Sequence, residues 1–377
     1  MLLFGVVMAL LGAVLPVVSA RLKFDLAQAG QLFLAMNFCM LAASLSLGPL
    51  MDRFGLKPPL LGGPLVVGAA LILIALAPDY PVLLAGAALL GLGGGALNAG
   101  ANTLVADLHP EPSRKNAALN LLGVFFGFGA LLLPFAVGAL LARVGLVAIA
   151  LAVAAGCAAA SVFSLTLAFP APKQAGGVKA ADVWRFARMP AVLLVAFLLF
   201  FQSGNEFTLG GYLSMYLTRE VGSSIAGASY GLAGFWAAIM LARLLLSRIL
   251  LRVEGHTLVL LSASCSAGAT ALLLLLAWPV GAFGAVVLLG LSLAGIYPTM
   301  LGIAGARFKE NSGTVFGILF TIALAGGMTL PWLVGQIAQR QGLRTALWLV
   351  TGSFLLILAL AFRIRRLYRR ERLAGTD

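Results

Sequence analysis

The chain alternates long apolar runs with short polar breaks, and the breaks are rich in Pro, Gly and charged residues. Taking the breaks as boundaries predicts twelve apolar helices, over 2–20, 28–50, 59–77, 81–106, 115–141, 145–168, 190–217, 224–247, 256–277, 279–305, 313–338 and 343–362. Each is close to the roughly 20 residues that an α-helix needs to cross the hydrocarbon core of a bilayer. Only one connection is long. It runs from Phe169 to Met189 and holds Pro170, Pro172, Gly176 and Gly177 with the charges Lys173, Lys179, Asp182, Arg185 and Arg188. The pattern predicts an all-α membrane protein with twelve transmembrane helices in two pseudo-symmetric six-helix bundles. The bundles are residues 1–168 and 190–362, joined by a cytoplasmic linker over 169–189 and followed by a basic tail over 363–377.

The second bundle repeats the first. Leu-Leu-Gly-Leu at 89–92 recurs at 288–291, displaced by 199; Leu133-Pro134 recurs as Leu330-Pro331, and Val137-Gly138 as Val334-Gly335, displaced by 197. Arg143 and Gly145-Leu146 return as Arg340 and Gly342-Leu343. Parallel repeats of this kind build transporters whose solute site lies between the halves near the bilayer midplane.

Composition agrees: 62% of the residues are hydrophobic and 10% charged, with a mean hydropathy of +1.06. Lipid is the solvent for such a chain. The net charge of +13 raises the question of nucleic acid, and its distribution answers it. With both termini cytoplasmic, the inner connections and tail hold 19 of the 25 Lys and Arg, and the outer connections hold Arg21, Lys23, Arg143, Arg219, Arg340 and Arg344. That is the positive-inside asymmetry of a multi-pass protein in a bacterial-type inner membrane. The basic cluster from Arg363 to Arg372 reads as an anchor for anionic lipid. A monomer that binds a small-molecule solute and no nucleic acid is expected. Cys39, Cys157 and Cys265 lie in apolar runs without paired spacing, so neither a disulfide nor a metal cluster is predicted; His109 and His256 fall in polar connections. Val18-Ser19-Ala20 has the look of a cleavage site, but no basic stretch precedes the apolar run and removal would leave an odd number of spans. The segment is read as the first helix.

Between the second and third spans lies Gly48-x-x-x-Asp52-Arg53-x-Gly55-x-Lys57-Pro58. It resembles the loop between helices 2 and 3 of the major facilitator superfamily of transporters, departing at Leu56, where a basic residue is usual. The resemblance implies a gating role for Asp52, Arg53 and Lys57, with Asp52 against the start of helix 11.

Several spans carry polar or aromatic groups that lipid does not explain. Asn98 and Asn102 share a face of the glycine-rich fourth helix, where they line a cavity or tie helices together. The fifth helix has Asn120 followed by Phe125, Phe126 and Phe128. The seventh has Gln202, Asn205, Glu206 and Tyr212 inside the span. Glu206 is the sole carboxylate deep in any predicted helix and has no evident basic partner at depth, which makes it a candidate proton carrier. Trp236, Tyr297 and Trp332 are candidate stacking surfaces for a sugar ring, and Pro298, Pro331 and Gly326-Gly327 suit helices that bend.

Gly204-x-Glu206 through Gly210-Gly211-Tyr212 and Ala294-Gly-Ile-Tyr-Pro-Thr299 resemble, more loosely, the fucose–galactose–glucose symporter branch and its sodium-dependent glucose-transporter relatives. That implies sugar uptake with H+ or Na+ as coupling ion and no other cofactor. The branch carries acids in helices 1 and 4; here helix 1 has none and the deep positions of helix 4 are Asn98 and Asn102. Coupling through Glu206, or no coupling, is the expectation. The alternative is export of amphipathic compounds, although the Gly-Pro pair usual in helix 5 of drug antiporters is replaced by Leu133-Pro134. With no phosphate loop, metal cluster or nucleophile–base pair in the sequence, an enzyme is not predicted.

Overall fold

The computed structural model describes residues 1–108, 111–170, 180–249, 253–276, 278–308 and 311–373; His109 and the linker charges Lys173 and Lys179 lie outside them. The described chain is helical: α1 (Leu2–Leu22), α2 (Leu26–Phe54), α3 (Lys57–Leu76), α4 (Tyr80–Leu108), α5 (Pro112–Leu165), α6 (Ala180–Ala187), α7 (Pro190–Arg219), α8 (Ile225–Ile249), α9 (Gly255–Leu275), α10 (Pro279–Leu293), α11 (Ile296–Arg307), α12 (Ser312–Gln341) and α13 (Leu343–Leu373). Among the described residues, 11 helical stretches are long and apolar enough to cross a membrane. One of them, Leu121–Leu165, has 45 residues, or about 68 Å of helix against a core of about 30 Å. It turns back at Gly145, whose φ of 76° and ψ of 167° only glycine adopts readily, so it makes two of the twelve crossings.

Local signals set the ends. Asp25 caps α2: its carboxylate accepts from the Gln28 amide at 2.7 Å, while Gln28 Oε1 accepts from the Asp25 amide at 3.0 Å. Pro112, Pro190 and Pro279 open α5, α7 and α10, where a missing N–H costs nothing.

Four boundaries differ from expectation. α2 continues to Phe54, so Asp52 and Arg53 ride on a helix end and the connection is Gly55-Leu56. The linker contains α6, a two-turn helix whose Phe186 packs edge-on against Phe308. The span expected over 279–305 is broken at Ala294-Gly295 into α10 and α11. The last helix runs on to Leu373, so the basic stretch after Phe362 begins as a helical extension of α13.

The repeat is visible in the packing. A Cβ on Gly91 would strike the Met36 carbonyl, and one on Gly290 would strike the Phe235 carbonyl; both residues of the second contact are displaced by 199 from the first. Gly5 lies against Phe126 and Gly204 against Gly326 in the same way. Small residues let main chains touch, and touching main chains are what hold helices together where lipid removes the hydrophobic drive. Phe38, Leu45, Val162, Phe163, Leu275 and Val280 are well exposed on the outside, as side chains bathed by acyl chains should be.

Candidate functional site

Glu206 sits in the middle of α7 and is 9% exposed. It has a partner: Arg243 of α8 reaches its Oε1 at 3.4 Å. The expectation of an acid without a base at depth is thus overturned. Sequence position groups Arg243 with the inner-end charges, yet it lies inside the span Ile225–Leu246. A helical side chain leans towards its own N-terminus, which carries this guanidinium back towards mid-membrane. Leu241, Leu244 and Leu245 form the exposed face of α8, and Arg243 points the opposite way. Its 28% side-chain exposure is therefore to space inside the bundle.

The pair belongs to the second half and is faced by the first. The Arg243 guanidinium stands 5.9 Å above the ring of Phe126, from α5, and Phe126 meets Trp236 edge-on at 6.0 Å. Tyr297 of α11 is within electrostatic reach of both charges. At 3.4 Å the attraction is about 5 kcal/mol for an effective dielectric near 20, and the several kcal/mol of hydration that each ion loses offset it. Removing either partner strands the other, at a cost of about 3–5 kcal/mol.

The other polar groups of α7 are bound elsewhere. Gln202, fully buried, donates through Nε2 to the Leu293 carbonyl at 3.3 Å. Asn205, also fully buried, accepts through Oδ1 from the Ser353 hydroxyl of α13. Gln202 Oε1, Asn205 Nδ2, Arg243 Nε and the Trp236 indole N–H are buried without a partner among the described residues. On α4, Asn102 Nδ2 donates to the main-chain carbonyl and Oδ1 of Asn98 at 2.8 and 2.9 Å, so the two amides form one unit. Phe125 belongs to an exposed stripe with Leu121, Phe128, Leu132 and Phe135, on the side of α5 away from Phe126, and faces lipid. The side chains of Asn120 and Asp52 lie outside the described residues. Arg53, over Phe54 at 5.2 Å, and Lys57 are exposed.

Tyr212 and Trp332 belong to a seal. Tyr212 donates to the Pro331 carbonyl at 3.2 Å and lies 5.3 Å from Phe33 of α2. There α2 and α12 touch: a Cβ on Gly30 would come within 3.0 Å of the Trp332 carbonyl oxygen, and Gln339 accepts from the Leu26 amide at 3.1 Å. Gly12 of α1 meets Gly210 of α7 as closely. The halves are sealed at the end where α1 meets α2; across them α2 packs on α12 and α5 on α8, whereas among the described residues α4 is not packed against α10 or α11. A separate groove of about 430 Å³ between α2, α3 and α4, lined by Leu47, Pro58, Gly62 and Leu92 among others, lies within the first half and away from the charges.

Among the described residues no group of His, Cys, Asp and Glu is disposed to hold a metal. Sequence reasoning missed Arg243 and Ser353. A signal existed for the first, because Arg243 and Glu206 are the two opposite charges well inside predicted spans; Ser353 offers none.

Comparison with known proteins agrees with this architecture. The chain is 26% identical over 309 residues to the MFS-type transporter YfkL of Bacillus subtilis, covering 78% of this chain and 76% of that one. It is 23% identical over 175 residues to the glucose/mannose transporter GlcP of the same organism, covering 45% and 42%. The crystal structure of the E. coli fucose:proton symporter FucP superposes with a TM-score of 0.64 at 20% identity, over 97% of this chain and 98% of that one. The model of the Major Facilitator Superfamily matches residues 1–322 and 195–376. The chain is a member of the Major Facilitator Superfamily of transporters, and not an enzyme.

Proposed function

We propose that this chain is a secondary transporter that moves a small polar solute by alternating access, with the solute bound between the halves beside Glu206 and Arg243. The observation that carries the reading is that ion pair, set inside an apolar bundle whose halves are packed together at one end while α4 stays unpacked against α10 and α11. An intramembrane charge pair facing internal space is costly and marks a solute or ion path. The Lys- and Arg-rich end is taken as cytoplasmic, which makes the described conformation inward-facing in an inner membrane with both termini inside. Asp52, Arg53 and Lys57 then gate the inner end, the α13 extension rests on anionic lipid, and the transporter acts as a monomer.

Within this reading Glu206 carries a coupling proton, and it does so by letting go of Arg243. Sodium is the competing ion. Glu206→Gln keeps the shape of the side chain and removes its titration. In proteoliposomes the variant should still exchange solute but lose accumulation driven by a pH gradient. Undiminished accumulation would assign Glu206 a structural role, and a wild type driven by sodium alone would leave it as a cation ligand.

A sugar is the second, more specific reading. The Asn98–Asn102 unit supports it, as does similarity to a glucose/mannose transporter and a fucose:proton symporter. Gln202 and Asn205 are each half engaged, Gln202 through its donor and Asn205 through its acceptor, which leaves one buried acceptor and one buried donor for a hydroxylated solute. Export of amphipathic compounds draws support only from the aromatic wall of Phe126 and Trp236.

A further inference from the structure

We infer that the solute is a small organic monoanion with an apolar body, whose carboxylate takes Glu206's place on Arg243 while Glu206 takes up one proton. The inference rests on the central-site reading above. A guanidinium has five N–H donors in a planar fork, a shape matched by a carboxylate held by two bonds. Among the described residues a single contact, long at 3.4 Å, joins Arg243 to a carboxylate oxygen, and Nε is buried with no partner. Donor capacity left unused at a half-buried cation is a vacancy for an acceptor. The surrounding wall is apolar: the guanidinium lies over the ring of Phe126 at 5.9 Å, and that ring meets Trp236 edge-on at 6.0 Å and Phe4 at 5.5 Å. Such a wall suits a hydrocarbon or ring and offers few partners to the many hydroxyls of a sugar.

Charge balance ties the anion to a proton. Glu206 and Arg243 sum to zero, and adding a carboxylate would leave a net negative charge in a low-dielectric site. Among the described residues, the titratable side chains facing Glu206 are Arg243 from α8 and Tyr297 from α11; α1, α12 and α13 bring no ionisable side chain to its depth. When the solute displaces Glu206, that carboxylate loses its only cation and is neutralised by a proton from a hydronium ion in the cavity water. One O–H bond forms at Glu206, a water molecule is released, and the site returns to zero net charge. Solute and proton then favour each other's binding by the same factor, and the translocated load is neutral.

The test uses the purified full-length protein and a panel of acetate, pyruvate and benzoate, each set against its neutral amide, with glucose and fucose alongside. Thermal stabilisation reports binding, and pH change in weak buffer reports proton uptake. At least one carboxylate should stabilise the protein while its amide does not, taking up about one proton per bound anion and binding at least tenfold more tightly at pH 6 than at pH 8. Arg243→Lys keeps the charge but not the fork and should weaken binding at least tenfold. Glu206→Gln should keep binding and lose both the proton uptake and the pH dependence. Equal stabilisation by acid and amide, no carboxylate binding at all, or indifference to Arg243→Lys would overturn the inference. Stabilisation by a sugar alone, abolished by the Arg243 and Glu206 variants, would discard the anion and keep the central site. Sugar binding untouched by both variants would discard the site as well.

Discussion

A methyl group on Gly335 has no room at the sealed end. A Cβ there would lie 2.6 Å from the Leu26 carbonyl oxygen, 2.7 Å from the Tyr212 hydroxyl and 3.0 Å from the Gly30 Cα. Comfortable separations are about 3.5 Å, so α2 and α12 must part by nearly 1 Å. Overpacking of this kind costs about 1–3 kcal/mol, and it acts only in the conformation in which the two helix ends touch. At about 1.4 kcal/mol per factor of ten, a cost of 2 kcal/mol changes the ratio of sealed to unsealed molecules by about 30-fold. An unsealed state present at about 1% would rise to roughly a quarter of the molecules. Spin labels at Arg143→Cys and Arg340→Cys, both exposed at that end, would read the change as a longer inter-label distance, with Cys39, Cys157 and Cys265 replaced beforehand. The expected result for Gly335→Ala is a long-distance component grown from a trace to about a quarter. A lower melting temperature with an unaltered distance distribution would refute the reasoning, because it would mean that the contact does not distinguish conformations.

Three further outcomes are expected. Ser353→Ala leaves the Asn205 amide buried and unsatisfied, and detergent-solubilised protein should lose about 1–3 kcal/mol in chemical or thermal unfolding. Gly145→Ala puts a side chain at φ 76°, ψ 167°, a region almost reserved for glycine, and should cost about 1–3 kcal/mol without altering solute affinity. Phe125→Ala should leave thermal stabilisation by solute unchanged, since the ring faces lipid, whereas Asn102→Leu should weaken it if the amide unit lines the solute path. Lower stability with intact binding in Asn102→Leu would make the unit a helix tie.

The number and order of the spans were legible because a bilayer enforces length: about 20 apolar residues per crossing leaves little freedom. The ends were less legible. Charged residues at 52 and 53 mark where the lipid ends, not where the backbone stops being helical, so α2 outran its predicted boundary. α6 escaped notice because its two turns are too short for a periodicity to stand out. Faces were hardest to read. In a soluble helix polar residues mark the outside, but α5 is apolar all round from Leu121 to Leu141, and nothing in that stretch separates Phe125, which meets lipid, from Phe126, which meets Arg243. The Glu206–Arg243 pair spans 37 positions and two helices, and only the angle at which α7 and α8 present those positions brings them together.

The helix contacts occur twice in the molecule, but the charged chemistry occurs once. Shifted back by 199, Glu206 falls on Val7 and Arg243 on Ser44, neither of which carries a charge, and Gln202, Asn205 and Ser353 likewise belong to the second bundle. On the proposed reading, the repeated scaffold divides the work between two unlike parts, one that chooses the cargo and one that supplies the opposing jaw. Drift or recombination within the second bundle could then retune what Arg243 and Glu206 carry, while the first keeps its glycines and Phe126 in register and its own Asn98–Asn102 unit and gate residues in place.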